Sequence, residues 1–362
     1  MTGTESVYLK LERPAEDATR GVSQMTGVTI VTGSVPPDRC GCGEYAKLLA
    51  DELLRSGIAA NLYYRKDWRL RKLLPYAHEL SQSDSDIVNI QYPTQGYGWS
   101  IVPQLLSLLI RKRKIVVTLH EFSQKRWEAR LTVWLFFLFA DWIVFTTDAE
   151  RSAACRVAPW ITKQSSVVSI GSHIPFRDPQ PTETDVAYFG LIHPTKGLEA
   201  FAAAASPLAQ QRGLKVRAIG QIPAGYEDYA EKILRELNDH GIDTVLDRNP
   251  EEVATILCRT RIALLPFPDG MSGRRTTALA AMGNGALLVT LESRDDPEFF
   301  RTVCLMSPDE SKLASLVADA MKNPDRYESV RAAGQQFARS ISWGKVAAGY
   351  FEVFERLRAR VS

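Results

Sequence analysis

Short apolar runs and amphipathic segments alternate along most of the chain. The first apolar run, Val28–Thr32, precedes a loop rich in glycine and proline, and residues 44–56 then place apolar side chains at helical spacing. This pattern predicts a buried strand followed by a helix that Gly57 ends. Short buried strands that alternate with helices indicate a parallel sheet covered on both faces.

The alternation occurs twice, on either side of a polar segment with three prolines near residues 173–185. Predicted strands before it are 28–32, 58–64, 87–90, 115–119, 142–145 and 167–170; those after it are 186–189, 214–219, 244–246, 262–265 and 286–289. Helices are predicted near 44–56, 197–206, 225–240, 250–259, 274–283 and through most of 311–360. The class is therefore α/β, with two doubly wound, Rossmann-like domains that share a cleft beyond the carboxyl ends of their strands.

The length of 362 residues fits two domains at roughly 150 residues each. We predict a flexible leader over 1–26, a first domain over 27–178, a second domain over 184–342 and a final helical segment over 343–362. The leader is polar and has no apolar core of the kind found in signal peptides.

The composition is that of an ordinary globular protein, with 45% hydrophobic and 24% charged residues. A net charge of +2 argues against a dedicated nucleic-acid binder, which would carry a strongly basic domain. The five cysteines show no zinc-type spacing, so we expect free thiols in a reducing, cytoplasmic compartment and no metal site. The apolar run over 131–145 is shorter than the ~20 residues that span a bilayer, and Asp141 interrupts it. It predicts a buried helix followed by a buried strand.

Two loops at predicted strand ends are suited to an anion. The loop over 33–43 has glycines that allow close backbone approach, and the helix after it presents free N–H groups near Gly43. After the strand that ends at Gly190, Lys196 would lie at the sheet edge, where a fixed cation can hold a diphosphate. The alternatives are a mere connecting turn for the first loop and a solvated lysine for the second.

A third loop places two arginines at a predicted helix start. It reads Ser272, Gly273, Arg274, Arg275 and Thr276. Helix N-termini favour acidic side chains, so local stability does not explain the arginines, whereas a bound phosphate group would. The alternative is that both arginines point into solvent.

The fourth candidate group follows strands of the first domain. His120 and Glu121 follow the run Val116–Leu119, and Gln91 and Tyr92 follow the strand predicted over 87–90. A histidine in the cleft can hydrogen-bond a sugar hydroxyl or a developing charge. A single histidine at a strand end is more often structural.

These loops, in this order, resemble those of the GT-B glycosyltransferases, and within them the family-4 retaining enzymes. The stretches that carry the resemblance are VTGSVPPDRCGCGEYAKLLADELLRSG, VTLHEF, YFGLIHPTKGLE, ALLPFPDGMSGRRTTALAAMGNGALLVT and ISWGKVAAGYFEVFERL. The resemblance implies a nucleotide-sugar donor bound mostly by the second domain and an acceptor on the first. It also implies no cofactor or obligatory metal, and a last segment, from Trp343, that crosses back onto the first domain.

The resemblance also assigns roles to single residues. It implies that Gly43 lies near the donor phosphates, His120 near the transferred sugar, and Lys196 against the diphosphate. Gly285 matches the glycine that closes the family's glutamate-rich segment. The chain departs from the family at Leu191, where an arginine is usual, and at Ser272 and Ala280, where two glutamates are usual. The second of these glutamates normally holds the ribose. We hypothesise that Arg274 and Arg275 replace the cation that is missing at Leu191.

The resulting hypothesis is a retaining, metal-independent transferase of polysaccharide or glycolipid biosynthesis. It would act on a saccharide, lipid-linked or glycan acceptor. Two alternatives stay open: a degenerate GT-B domain that binds a sugar nucleotide or a partner without turnover, and a nucleotide-sugar 2-epimerase. The epimerase would need an acid and a base, and the third loop offers Asp269 but no glutamate. The sequence carries no signal for an oligomeric state.

A basic stretch in the first domain suggests a second property. Residues 65–76 combine five arginines and lysines around Trp68 and Leu70, and residues 111–114 are all basic. Such segments are able to rest on anionic lipid at the inner face of a membrane. The more frequent explanation of a short charge run is a solvated basic face.

Overall fold

The chain forms two compact units. The computed structural model describes residues 8–9, 27–38, 40–123, 127–293 and 297–359. Unit 1 comprises Met1–Ile170 with Trp343–Ser362, and unit 2 comprises Gly171–Ser342. Residues 171–178, which the sequence analysis assigns to the first domain, thus belong to unit 2. The predicted leader lies outside the described residues except for Tyr8–Leu9, which form a short strand.

Within the described residues, unit 1 contains a seven-stranded sheet. Its strands are β1 (Tyr8–Leu9), β2 (Val28–Thr32), β3 (Ala60–Tyr64), β4 (Ile87–Tyr92), β5 (Lys114–Leu119), β6 (Trp142–Phe145) and β7 (Ser165–Val167). The spatial order is β1-β3-β2-β4-β5-β6-β7, and every pairing is parallel except β1 with β3. The carboxyl ends of β2 to β7 therefore lie at one edge of the sheet.

Helices connect these strands. They are α1 (Gly41–Arg55), α2 (Leu73–Ser81), α3 (Val102–Leu109), α4 (Trp127–Phe139) and α5 (Asp148–Val157), with 3₁₀ turns at Leu70–Lys72, Gln95–Tyr97 and Pro159–Gln164. One sheet face packs against α1, and the other packs against α2, α3, α4 and α5. The apolar run over 131–145 is confirmed as a helix followed by a fully buried strand.

Unit 2 repeats the architecture with a six-stranded parallel sheet in its described residues. Its strands are β8 (Thr184–Leu191), β9 (Val216–Gln221), β10 (Asp243–Leu246), β11 (Thr260–Leu264), β12 (Leu287–Leu291) and β13 (Leu305–Ser307), in the order β10-β9-β8-β11-β12-β13. Its helices are α6 (Leu198–Arg212), α7 (Glu227–Asp239), α8 (Pro250–Leu257), α9 (Thr276–Gly283), α10 (Pro297–Val303), α11 (Leu313–Lys322) and α12 (Pro324–Ser340), with 3₁₀ turns at Pro194–Lys196 and Glu310–Lys312. One apolar core runs through the unit.

The last helix, α13 (Trp343–Ala359), is part of unit 1 although it follows unit 2 in the chain. It packs beside α1, and its buried residues Val346, Tyr350 and Phe354 join the core on that face of the sheet. The helix thereby completes the cover of the unit 1 sheet.

The alternating apolar pattern located the strands well. Every strand predicted from sequence is present, with ends shifted by a few residues, and the α/β class with two Rossmann-like units is confirmed. Two strands were not predicted: β1, and β13, which is three residues long and lies between α10 and α11. Strands this short carry too little pattern to be recognised.

Candidate functional site

The loop after β2 lies close against the start of α1. A Cβ atom on Gly43 would be 2.5 Å from the carbonyl oxygen of Ser34, so this position accepts no side chain without movement of the backbone. The Ser34 hydroxyl in turn accepts a hydrogen bond of 2.8 Å from the Gly96 N–H in the loop after β4. The glycine of this loop is therefore explained by packing within unit 1, and its place beside donor phosphates stays a prediction.

A cysteine thiol lies at the same helix start. Cys40 is the N-cap residue of α1, and its Sγ accepts a hydrogen bond of 3.3 Å from the Gln95 N–H. The pKa of this thiol is lowered, and the largest cause is a hydrogen bond with Cys42. Burial opposes the change, whereas the N–H groups of Gln95 and Gly43 add to it, and the resulting pKa is about 5. The thiolate is thus the stabilised form, which the residue spacing did not reveal.

His120 is buried at the end of β5, within hydrogen-bond distance of Gln91. Its Nε2 lies 3.0 Å from Gln91 Oε1, and the Gln91 amide donates to Asn89 Oδ1 and to Thr118 Oγ1. Since an amide oxygen only accepts, Nε2 carries the proton in this arrangement. The ring also meets Tyr45 of α1 edge-on, with centroids 4.8 Å apart. The structure therefore unites the two predicted residues His120 and Gln91.

Two buried tyrosines extend this hydrogen-bonded group. Tyr350 of α13 places its hydroxyl 2.7 Å from Thr118 Oγ1, and Tyr45 donates to the Tyr350 hydroxyl at 3.1 Å. Burial is the main cause that raises the pKa of Tyr350 to about 12, and it raises that of Tyr45 well above its ordinary value. Both phenols are therefore neutral donors and acceptors that hold the Thr118–Gln91–His120 chain in place.

The other two predicted acceptor-side residues lie apart from this group. The Tyr92 ring packs in the core on the opposite sheet face, where its hydroxyl accepts a hydrogen bond of 3.0 Å from Gln104. Neighbouring residues of a strand point to opposite faces, so Gln91 and Tyr92 do not share one environment. Glu121 is exposed just beyond β5.

In unit 2, the turn that carries Lys196 packs tightly on the end of β11. Gly197 has a φ of +76°, and a Cβ atom there would overlap the carbonyl oxygen of Pro266. The Tyr188 hydroxyl donates to the carbonyl oxygens of Leu191, at 3.1 Å, and of Lys196, at 3.3 Å. These contacts hold Lys196 at the carboxyl edge of the sheet. Gly190 lies within β8 itself, one residue before the strand ends.

The loop after β11 is held by its apolar residues. Phe267 and Met271 are buried in the unit 2 core, and the Gly270 N–H donates to the Phe267 carbonyl at 2.8 Å to close a turn. Gly270 has a φ of +82°, which favours glycine. This turn anchors the loop that carries Asp269 and Ser272.

Arg275 lies over this turn and beside Lys196. Its guanidinium pairs with the Asp269 carboxylate and sits 4.5 Å from the centroid of the Phe267 ring. Its Nε is buried and has no hydrogen-bond partner. Burial, then the positive charge of Arg275, lowers the pKa of Lys196, and Asp269 opposes this change. Two cations and one carboxylate therefore lie together at this edge of the sheet, leaving a net positive charge.

The predicted arginine-rich helix start needs a correction. Helix α9 begins at Thr276, with Arg275 as its N-cap, so Arg274 and Arg275 precede the helix and do not form its first turn. No acidic residue lies in that first turn. Ser272, Gly273, Arg274 and Thr276 are all half-buried around the helix start. Positive charge still meets the positive end of the helix dipole, which an anion would relieve.

The positions that depart from the family pattern have distinct surroundings. Ala280 is completely buried in α9, so no carboxylate is available where the resemblance implies a ribose ligand. Leu191 is exposed at the end of β8. Gly285 follows α9 with a φ of +92°, a conformation that explains its glycine on structural grounds.

Two further properties concern the described residues only. No three His, Cys, Asp or Glu side chains among them are grouped closely enough to hold a metal ion. None of their helices combines the length and apolar character needed to cross a bilayer.

Comparison with solved structures establishes the fold as GT-B. HepE from Anabaena, solved with UDP and glucose, has a TM-score of 0.70 and 14% identity over 91% of this chain and 100% of its own. A glycosyltransferase from Rickettsia africae has a TM-score of 0.68 and 10% identity over 92% and 99%. Sucrose-phosphate synthase from Thermosynechococcus elongatus has a TM-score of 0.66 and 14% identity over 93% and 100%.

A family match covers most of unit 2 and the start of α13. Residues 199–348 match the model of the family described as glycosyl transferase-like. No curated protein matches the chain. Together, the family match and the fold confirm the resemblance to GT-B glycosyltransferases that the sequence motifs predict.

Proposed function

We propose that this protein is a retaining glycosyltransferase that moves a sugar from a nucleoside-diphosphate sugar to a saccharide, lipid-linked or glycan acceptor. The observation that carries the proposal is the group formed by Lys196 and Arg275 beside the start of α9. Clustered cations repel one another, and an anionic ligand offsets that repulsion. A diphosphate fits because it offers several charged oxygens to both side chains and to backbone N–H groups.

In the proposed reaction, the bond between the anomeric carbon and the diphosphate breaks while the acceptor oxygen bonds to that carbon on the same face. The proton of the acceptor hydroxyl passes to the departing phosphate oxygen. Negative charge grows on the departing diphosphate, so Lys196 and Arg275 bind the transition state more tightly than the intact donor. Asp269 holds the guanidinium over the turn and would share it with the diphosphate. These residues stabilise the leaving group without a metal ion in our proposal.

The acceptor side is proposed to lie in unit 1 at His120. Gln91 and the tyrosine-bonded Thr118 hold the His120 ring in one orientation. An imidazole held in this way can hydrogen-bond a hydroxyl of the transferred sugar or of the acceptor.

The test combines binding and turnover. Because HepE was solved with UDP-glucose, UDP and UDP-glucose are the first ligands to measure. We expect Lys196→Ala and Arg275→Ala each to weaken UDP binding by roughly tenfold to a hundredfold, the range for hydrogen bonds to charged groups. Lys232→Ala removes an exposed lysine from α7 in the same unit and serves as the control. Unchanged affinity in both site variants would contradict the proposed donor site.

The absence of a carboxylate at Ala280 favours one second candidate, a domain that binds a sugar nucleotide without turnover. Calorimetric UDP binding together with no sugar transfer and no donor hydrolysis would favour this candidate.

Retention is tested by the anomeric configuration of the product in NMR spectra. Metal independence is tested by unchanged turnover in the presence of a chelator.

A further inference from the structure

Large apolar side chains are exposed on one helical layer of unit 1. Of the twelve exposed large apolar side chains in the described part of the chain, nine lie on this layer: Leu70, Leu74, Trp99, Ile101, Leu109, Leu131, Leu138, Val157 and Trp160. The elements that carry them are the turn at Leu70–Lys72, the loop before α3, helices α2 to α5 and the turn at Pro159–Gln164. We call this set of elements the outer layer; it covers the sheet face opposite α1 and α13.

Direct contacts make the outer layer continuous. The Ser100 hydroxyl donates to the Trp68 carbonyl, which ties the loop of Trp99 to the segment that leads into Leu70. Helix α2 packs on α3, and α3 packs on α4. At the far side, the rings of Trp134 and Trp160 have centroids 5.6 Å apart, and Trp160 Nε1 donates to the Phe137 carbonyl at 3.1 Å.

Several side chains of the outer layer are more than half exposed. Trp99 is 91% exposed and Leu74 is 71% exposed, while Leu131 and Leu138 are each 58% exposed. Leu131 and Leu138 are seven residues apart, so they lie on one face of α4 two turns from each other. A concentration of exposed apolar side chains on one face marks a surface that contacts another apolar phase or molecule.

Basic side chains lie among these apolar ones. Arg69, Arg71 and Lys72 surround Leu70, Arg111 and Lys112 follow Leu109, and Arg156 and Lys163 flank Val157 and Trp160. The Arg111 guanidinium lies 5.7 Å from the centroid of the Phe139 ring at the end of α4. Acidic residues also lie on or beside these elements: Asp67 pairs with Arg69 and Arg71, Glu79 of α2 pairs with Arg65, and Asp148 lies in the first turn of α5.

We propose that the outer layer of unit 1 docks peripherally on a lipid surface with anionic headgroups. Apolar side chains and tryptophan enter the boundary between headgroups and acyl chains, while arginine and lysine reach the phosphates. A protein partner fits less well, because the central part of a protein interface is depleted in lysine and other charged residues. The proposal concerns unit 1 alone and does not depend on sugar transfer.

The test is cosedimentation of the full chain with vesicles of phosphatidylcholine, with and without phosphatidylglycerol. We expect binding to the anionic vesicles, weakened roughly tenfold or more by Trp99→Ser and by the double change Arg111→Glu with Lys112→Glu. The double change Leu131→Ser with Leu138→Ser tests α4 in the same way. Circular dichroism verifies that each variant is folded.

Matched controls come from unit 2. Phe299→Ser removes an exposed aromatic ring, and Lys232→Glu with Arg235→Glu makes the same change of charge on α7. Absence of binding by the unmodified chain, or equal binding by the outer-layer variants and controls, overturns the proposal. The proposal would also be overturned if the unmodified chain did not bind vesicles but self-associated, and if Trp99→Ser abolished that self-association. The outer layer would then be an interface with a second copy of the chain.

Discussion

Within unit 2, Arg275 lies close enough to Lys196 for its positive charge to lower the pKa of that lysine, in addition to the larger effect of burial. Asp269 has the opposite effect and raises the Lys196 pKa. The protonation of Lys196 is therefore coupled to two residues of the loop after β11. If Lys196 grips a diphosphate, this coupling appears in the pH dependence of binding.

The first prediction concerns that pH dependence. Because its pKa is lowered, Lys196 loses its charge at a lower pH than an ordinary lysine does. UDP affinity should therefore begin to fall at a lower pH than it would with an ordinary lysine at this position. Arg275→Ala removes a repelling charge and shifts the fall to higher pH, whereas Asp269→Asn shifts it to lower pH. Lys196→Arg abolishes the fall. Calorimetric titration of UDP from neutral pH upward measures these shifts, and identical profiles in all variants would exclude the coupling.

The second prediction compares the two glycines that flank α6, Gly197 and Gly213. Gly197 and Gly213 both have positive φ, but an added Cβ overlaps the Pro266 carbonyl at the first and meets nothing within 4 Å at the second. Gly213→Ala should cost about 1 kcal/mol of unfolding free energy for the backbone conformation alone. Gly197→Ala should cost about 3 kcal/mol or more, because the turn must also move. Urea denaturation measures both, and equal losses would mean that the overlap has no effect.

The third prediction concerns the hydroxyl that α13 contributes. Tyr350→Phe leaves the buried hydroxyls of Tyr45 and Thr118 without a shared partner, so unfolding free energy should fall by about 1–3 kcal/mol. Tyr229→Phe is the control, since its hydroxyl bonds Glu199 at an exposed position. A loss no greater than that of the control would show that the buried hydroxyls find other partners.

The fourth prediction uses the low pKa of Cys40. The pKa of the Cys40 thiol drops to about 5 on folding, so the thiolate stabilises the folded chain. This contribution is complete above the ordinary thiol pKa and is lost as pH falls through about 5. The difference in unfolding free energy between the unmodified chain and Cys40→Ser should therefore grow as pH rises from 5. Cys304→Ser is the control, because burial raises the pKa of Cys304 to about 12. Below the ordinary thiol pKa this residue is protonated in both the folded and the unfolded chain, so its contribution is constant there. A constant difference for Cys40→Ser would contradict the prediction.

The sequence predicted the positions of some site residues well and of others poorly, and each outcome has its own physical reason. Lys196 and Arg275 follow buried strands of one parallel sheet, and parallel strands bring their carboxyl ends to one edge, so their proximity follows from the pattern. Tyr92 is the last residue of β4, and its side chain enters the core because strand residues alternate between faces. The same alternation, applied to Gln91 and Tyr92, would have separated them.

The local pattern by itself determined the α/β class, the two repeated units, the strand positions and the loops that end at the sheet edges, because these depend on the period of apolar residues along the chain. The tertiary structure decided what distant segments do together. Tyr350 reaches Thr118 across 232 positions of sequence, Asp269 pairs with Arg275, and nine apolar side chains share one outer layer of unit 1. The local period of apolar residues does not predict these long-range contacts. They arise from the packing of helices on a sheet whose strands are far apart in the chain.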